Sequence, residues 1–184
     1  MTKRRSVQKK KASRSNRSIP PPILAVVGRS KSGKTTVLEG LIRALTEKGY
    51  AVGTIKDAKG GFQLDLEGKD SAKHYRAGAC SVLIVSSEQK EIAFFSHLEE
   101  APSISELCER FFPDADVVLL EGFKKLSVPK IETSRGEPLS CRGDENLVAV
   151  VGQTSDVPRD VPCFGFSDTS GLVELVERTL QLGG

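Results

Sequence analysis

No stretch of this 184-residue chain approaches the roughly 20 apolar residues that a membrane-spanning helix needs, so the sequence offers no membrane segment. The first 19 residues have no apolar core of the kind a secretory signal requires, and no apolar helical stripe of the kind a transit peptide shows. Cysteine is sparse: Cys80, Cys108, Cys141 and Cys163 form no C-x-x-C, and His74 and His97 are the only histidines. A zinc site is therefore not expected, and reduced structural thiols in a cytoplasmic protein are the plain reading. Internal repeats are absent too, and the length suits one α/β domain able to bury a core without disulfides.

Acid is missing from the N-terminus. Residues 1–19 contain Lys3, Arg4, Arg5, Lys9, Lys10, Lys11, Arg14 and Arg17, so the net charge of +3 hides two unlike parts. Beyond residue 19 the chain has 19 basic and 24 acidic side chains, a net of −5. Residues 1–21 read as a basic disordered tail that runs into Pro20-Pro21-Pro22, and residues 22–184 as the folded domain. A solvated extension with no specific task is the plainest reading of the tail. Targeting, or contact with nucleic acid, an anionic membrane or an acidic partner, are the alternatives. A nucleic-acid role predicts affinity that falls steeply with salt and vanishes when residues 1–19 are deleted. Neither nucleic acid nor a membrane is the expected partner.

Against these absences stands Gly28-Arg29-Ser30-Lys31-Ser32-Gly33-Lys34-Thr35-Thr36, which satisfies G-x-x-x-x-G-K-[ST], the loop that wraps the phosphates of a nucleoside triphosphate. Ile23-Leu24-Ala25-Val26-Val27 before it reads as a strand buried on both faces. Gly28 permits the tight turn out of that strand, and Gly33 permits close approach of the backbone to a phosphate. Successive N–H groups then form a nest reinforced by the positive end of the next helix. Lys34 supplies a point charge for the β- and γ-phosphates, and the Thr35 hydroxyl can ligate Mg²⁺. Val37, Leu38, Leu41, Ile42 and Leu45 share one helical face.

Strand and helix alternate thereafter. Strands are expected at 51–56, 81–86, 91–96, 116–120, 129–133 and 147–151, with 81–86 and 91–96 as a hairpin. Helices are expected at about 69–77, from Ser103 or Ser105 to about 112, and from about 170. The order implies a P-loop NTPase fold, a mostly parallel sheet flanked by helices with an added antiparallel hairpin. Ligands bind at the carboxyl ends of strands in such a sheet, where Asp57 and Glu121 fall; either can hold Mg²⁺ directly or through water. Asp156, after the strand 147–151, sits where guanine-specific proteins place Asn-Lys-x-Asp, but the Asn and Lys are missing, and a capping or turn aspartate reads nearly as well. Lys56, Lys59, Lys124 and Lys130 follow or open strands on one rim and make a candidate anion-binding patch. The catalytic residue, if there is one, is not legible.

G-R-S-K-S-G-K-T-T, V-G-T-I-K-D (52–57), G-K-D-S-A-K-H-Y-R-A-G-A (68–79) and L-L-E-G-F-K-K-L-S-V-P-K-I-E (119–132) follow in the order seen in the MobB family, as does N-L-V-A-V-V (146–151). The chain resembles that family over about residues 22–182. The resemblance implies a GTP-binding adaptor of molybdopterin-guanine dinucleotide biosynthesis, with Mg²⁺, slow GTP hydrolysis and a homodimer. It also implies partnership with a MobA-like guanylyltransferase, and molybdopterin or its guanine dinucleotide as a ligand. By motif matching, Gly33, Lys34, Thr35 and Thr36 hold phosphates and metal, with Asp57 and Glu121 near the Mg²⁺. Asp65, Lys69, Asp70, His74, Lys124 and Lys130 match family blocks without an assigned role. One departure matters: where the family commonly reads T-I-K-H-D-x-H-G, this chain has T-I-K-D-A-K-G-G, so no histidine role carries over and Lys59 supplies charge nearby.

A P-loop small-molecule kinase is the alternative, with Asp57 or Asp65 as the base beside an acceptor hydroxyl. Label from GTP or ATP appearing in a small product, rather than slow phosphate release, favours it. A nickel-chaperone GTPase fits less well, because the tail has no His-rich or Cys-rich stretch.

Overall fold

The structure is a computed structural model that describes residues 20–58, 60, 61 and 70–183. The expectations placed on the tail through residue 19, and on Lys59, Asp65 and Lys69, lie outside the described residues. In chain order the elements are β1 (Ile23–Gly28), α1 (Lys34–Glu47), β2 (Val52–Lys56), α2 (Asp70–Arg76), β3 (Ser81–Ser86), β4 (Glu91–Ser96), α3 (Ile104–Phe111), β5 (Val117–Glu121), β6 (Lys130–Arg135), β7 (Leu147–Gln153), β8 (Cys163–Phe164) and α4 (Thr169–Leu180).

One compact unit comprises the described residues through Asp57 together with those from Ile104 onward. Its sheet runs β2-β5-β1-β6-β7-β8, every neighbouring pair parallel. β1 is central because it is apolar on both faces, as a strand covered by helices on either side must be. Leu24 and Val26 face Val37, Leu38, Leu41 and Leu45 of α1 and Leu172, Val173 and Val176 of α4. Ala25 and Val27 face the other layer, with Ile104 and Cys108 of α3 and with Val118 and Leu120. The C-terminal end of α1 is tied to α4: Lys48 donates to Glu177 at 2.6 Å and the Tyr50 hydroxyl donates to the same carboxylate at 3.0 Å.

The other unit comprises the described residues between Ala58 and Ser103. Here β3 and β4 form the expected antiparallel hairpin, with Leu83 opposite Phe94 and Val85 opposite Ile92. Alternation puts these four on one face, and they are 58%, 38%, 62% and 73% exposed, respectively. The parallel sheet and the hairpin match the expected fold class. The two-residue strand β8 was not anticipated. Among the described residues, no helix is long and apolar enough to cross a membrane, and all four cysteines are free thiols.

Candidate functional site

The site is built where β1 runs into α1. Gly28 leaves the strand with φ +141°, and a Cβ there would lie 2.6 Å from both Ser32 Oγ and the Thr133 carbonyl oxygen, so only glycine fits the turn. Ser32 is fully buried; its hydroxyl meets Thr133 Oγ1 at 2.6 Å, and Thr133 Oγ1 in turn donates to the Val27 carbonyl at 3.2 Å. The back of the loop is thus pinned to β6. Gly33, with φ +101°, is the N-cap of α1; no side chain caps the helix and no acid sits in its first turn. The positive end of the helix is left open to an anion. Lys34 folds back across the loop, donating to the carbonyls of Gly28 (3.2 Å) and Arg29 (2.6 Å). Arg29, Ser30 and Lys31 form the exposed outer turn, with Lys31 at φ +63°.

The strand-end acids lie on adjacent strands, and Glu121 reaches α1. Glu121 ends β5, and Thr35 donates to its Oε1 at 3.4 Å while the Lys56 ammonium, from the end of β2, lies 3.0 Å from the same oxygen. Asp57 continues β2: its backbone N–H donates to the Glu121 carbonyl at 3.0 Å, and its Cβ lies 3.0 Å from where a Cβ on Gly122 would be. The Thr35 hydroxyl and the Glu121 and Asp57 carboxylates are hard oxygen donors. Among the described residues, no three His, Cys, Asp or Glu side chains converge into a protein-only cage. Hard oxygen donors of this kind suit Mg²⁺, which takes one or two carboxylates and completes its shell with phosphate oxygens and water. The residues that would hold it are Thr35, Glu121 and Asp57.

The structure corrects one member of the lysine rim. Lys130 is 1% exposed and its ammonium pairs with Asp144 at 2.8 Å, so it anchors a loop and lines no rim. The Asp144 carboxyl is held below the usual carboxylate range chiefly by the Lys130 hydrogen bond, and next by the Asn146 backbone N–H. Lys56 is exposed but paired with Glu121, and Lys124 is exposed in the turn after β5. The Asp156 carboxylate, proposed to face a base, is ion-paired with Arg142. Asp70 pairs with Lys73 on the surface of α2, and His74 is exposed on the same helix.

Three residues that sequence reading passed over also belong to the site. Thr133 holds the loop from behind. Phe166, just past β8, presses its ring edge to 2.5 Å from where a Cβ on Gly33 would be, and the Arg135 guanidinium at the end of β6 lies 4.6 Å above that ring. The one available signal was a hydroxyl and an arginine closing an otherwise buried strand.

A parallel sheet whose central strand feeds a glycine-rich loop and a helix N-terminus, with acids closing the neighbouring strands, defines the P-loop NTPase fold. Residues 23–153 match the family described as MobB, Molybdopterin guanine dinucleotide synthesis protein B, and the chain belongs to that family. It is 32% identical over 167 residues to the molybdopterin-guanine dinucleotide biosynthesis adapter protein of Escherichia coli K12, covering 87% of this chain and 94% of that one. The Haemophilus influenzae adapter protein is 38% identical over 117 residues, 63% of this chain and 65% of its own length. Among solved structures, Bacillus subtilis MobB superposes with a TM-score of 0.68 at 28% identity, covering 89% of this chain and 99% of that one.

Proposed function

We propose that this chain is a Mg²⁺-dependent GTP-binding accessory protein of molybdopterin guanine dinucleotide formation. It acts in the cytoplasm as an adaptor for a MobA-like guanylyltransferase, with molybdopterin or its guanine dinucleotide in the shared complex. The observation that carries the nucleotide part is the Lys34 ammonium lying across a loop whose helix end is uncapped. The adaptor part is supported by the names of the relatives. Hydrolysis is expected to be slow. Lys34, Thr35, Lys56, Asp57 and Glu121 are suited to neutralising charge and fixing geometry, and water activation needs a further positioned group. A homodimer is part of the reading, supported by the four exposed apolar side chains on one face of the β3–β4 hairpin.

Calorimetric titration with Mg²⁺ and GTP, ATP or GDP, repeated on Lys34→Ala, tests the nucleotide reading. GTP is expected to bind tighter than ATP, and the variant to lose roughly a hundredfold or more, as the loss of a charge-assisted contact to phosphate implies. Tighter ATP binding sinks the guanine assignment; unchanged binding in the variant sinks the loop assignment. Co-elution with the guanylyltransferase tests the adaptor role.

A further inference from the structure

Arg135 and Phe166 are absorbed by neither the phosphate-loop motif nor the strand-end acids, yet both touch the loop. β6 alternates, so Ile131, Thr133 and Arg135 project to one side. Ile131 enters the core under α1, and Thr133 reaches Ser32. Arg135, one further step along, is carried past the back of the loop toward its helix end. There its terminal guanidinium nitrogen lies 3.5 Å from where a Cβ on Gly33 would be, immediately before Lys34. The Phe166 ring fills the space beneath it, its edge against both Gly33 and Gly152, and the guanidinium lies across the ring.

Positive charge outweighs negative at this place, where the Glu137 carboxylate is a nearby acid that also attracts Arg29 of the loop. The uncapped end of α1, Lys34 and Arg135 bring positive charge together within a few side chains. Among the described residues Arg135 has no ion-pair partner. The nearby Glu137 carboxylate is occupied with the main chain, accepting the Arg135 backbone N–H at 3.0 Å, and it also meets the Ser134 hydroxyl at 3.5 Å. A planar guanidinium can be held by an aromatic face and still present its edge N–H groups to an anion, which an ammonium cannot do as well.

We infer that the Arg135 guanidinium is an anion-binding arm for the polyphosphate of the nucleotide in the loop, and that Phe166 is the residue positioning it. The inference rests on the nucleotide reading above and adds a ligand outside the loop itself. Because the arm reads phosphate and not base, its contribution is the same for ATP and GTP.

The test is titration of the full chain with Mg²⁺·GTP and Mg²⁺·ATP, comparing wild type with Arg135→Gln, Arg135→Lys, Phe166→Leu and Lys34→Ala, with melting temperatures alongside. Arg135→Gln is expected to weaken both nucleotides by the same factor, roughly tenfold or more, the worth of one charge-assisted hydrogen bond. Arg135→Lys keeps part of the affinity, because the charge stays while the stacked fork of N–H groups is lost. Phe166→Leu falls between wild type and Arg135→Gln, and Arg135→Gln melts with wild type because Arg135 is exposed. Wild-type affinity in Arg135→Gln, with Lys34→Ala impaired, overturns this inference and leaves the loop assignment standing. Equal losses in the Gln and Lys variants with lowered melting temperatures make Arg135 a packing residue and also overturn it. A wild-type chain that takes up neither nucleotide overturns both readings.

Discussion

Replacing Thr133 by valine tests whether the loop is held from behind by a single hydroxyl. The Thr133 hydroxyl has one hydrogen, and it goes to the Val27 carbonyl at 3.2 Å. The 2.6 Å contact with Ser32 must then have Ser32 as donor. Ser32 is 0% and Thr133 2% exposed, so water cannot replace either bond without the loop opening. Valine keeps the volume and leaves the Ser32 hydroxyl without an acceptor, at a cost of about 1–3 kcal/mol for an orphaned buried polar group. For a domain of this size that is a fall in melting temperature of roughly 2–4 °C per kcal/mol, so about 4–8 °C for a mid-range loss. Urea unfolding of Thr133→Val, Ser32→Ala and the double variant, followed by circular dichroism, closes the cycle. Removing both hydroxyls abolishes the orphan, so the double variant should be more stable than the summed singles by about 0.5 kcal/mol or more. Strictly additive losses would mean that the two hydroxyls do not bond to each other, and the pinned-loop argument would fail.

Acid stability should report the Lys130–Asp144 pair. Asp144 titrates below its ordinary value in the folded chain, so its contribution is complete above the unfolded value of about 3.9 and is lost as pH falls through the folded value. Asp144→Asn should cost about 3 kcal/mol at pH 7, the low end for breaking a buried pair because Asp144 is 26% exposed, since it leaves a buried ammonium without a counter-charge. The gap between variant and wild type in urea midpoint should close below pH 4; a gap independent of pH would contradict the pairing. For the hairpin, Phe94→Lys with Ile92→Lys should turn a dimer into a monomer by light scattering while leaving Mg²⁺·GTP binding intact. A wild-type chain that is already monomeric at tens of micromolar removes the proposed interface.

How legible the site was depended on what each signal consists of. β1, its loop and α1 were readable because an apolar run, two glycines at fixed spacing and a 3.6-residue apolar stripe are all local. The strand-end positions of Asp57 and Glu121 were readable because each acid follows a short strand-forming run, and Glu121 follows four buried apolar residues. Lys130 was misread for a physical reason: a lysine after a proline looks solvated, and only its position between β1 and β7, with Asp144 14 residues on, shows it buried and paired. β8 has two residues between Pro162 and Gly165, too few for any period to appear. Phe166 lies just beyond it, and its contact with Gly33 joins residues 133 apart in sequence, so it could not be seen without the fold.

The misread lysine also explains what the P-K-I-E segment does. Lys130, Glu132 and Ser134 project from one side of β6, opposite Ile131, Thr133 and Arg135. Glu132, 1% exposed, accepts the Ser140 backbone N–H (2.7 Å), the Ser140 hydroxyl (2.5 Å) and the Cys141 backbone N–H (2.8 Å). The Ser134 hydroxyl donates to the Glu137 carbonyl at 2.7 Å. The ladder to β7 is irregular between Lys130 and Ile131, yet the pairing with β1 runs without a break, from Ala25 opposite Lys130 to Gly28 opposite Thr133. A one-residue slip of β6 would turn Lys130 and Glu132 into the apolar layer under α1, where neither Asp144 nor the 140–141 backbone could follow, at several kcal/mol per stranded charge. The same slip would take Thr133 away from Ser32 and Arg135 away from Phe166. The buried charges of β6 therefore do more than hold the loop from 137 to 146: they exclude the register in which the phosphate loop would lose its support from behind.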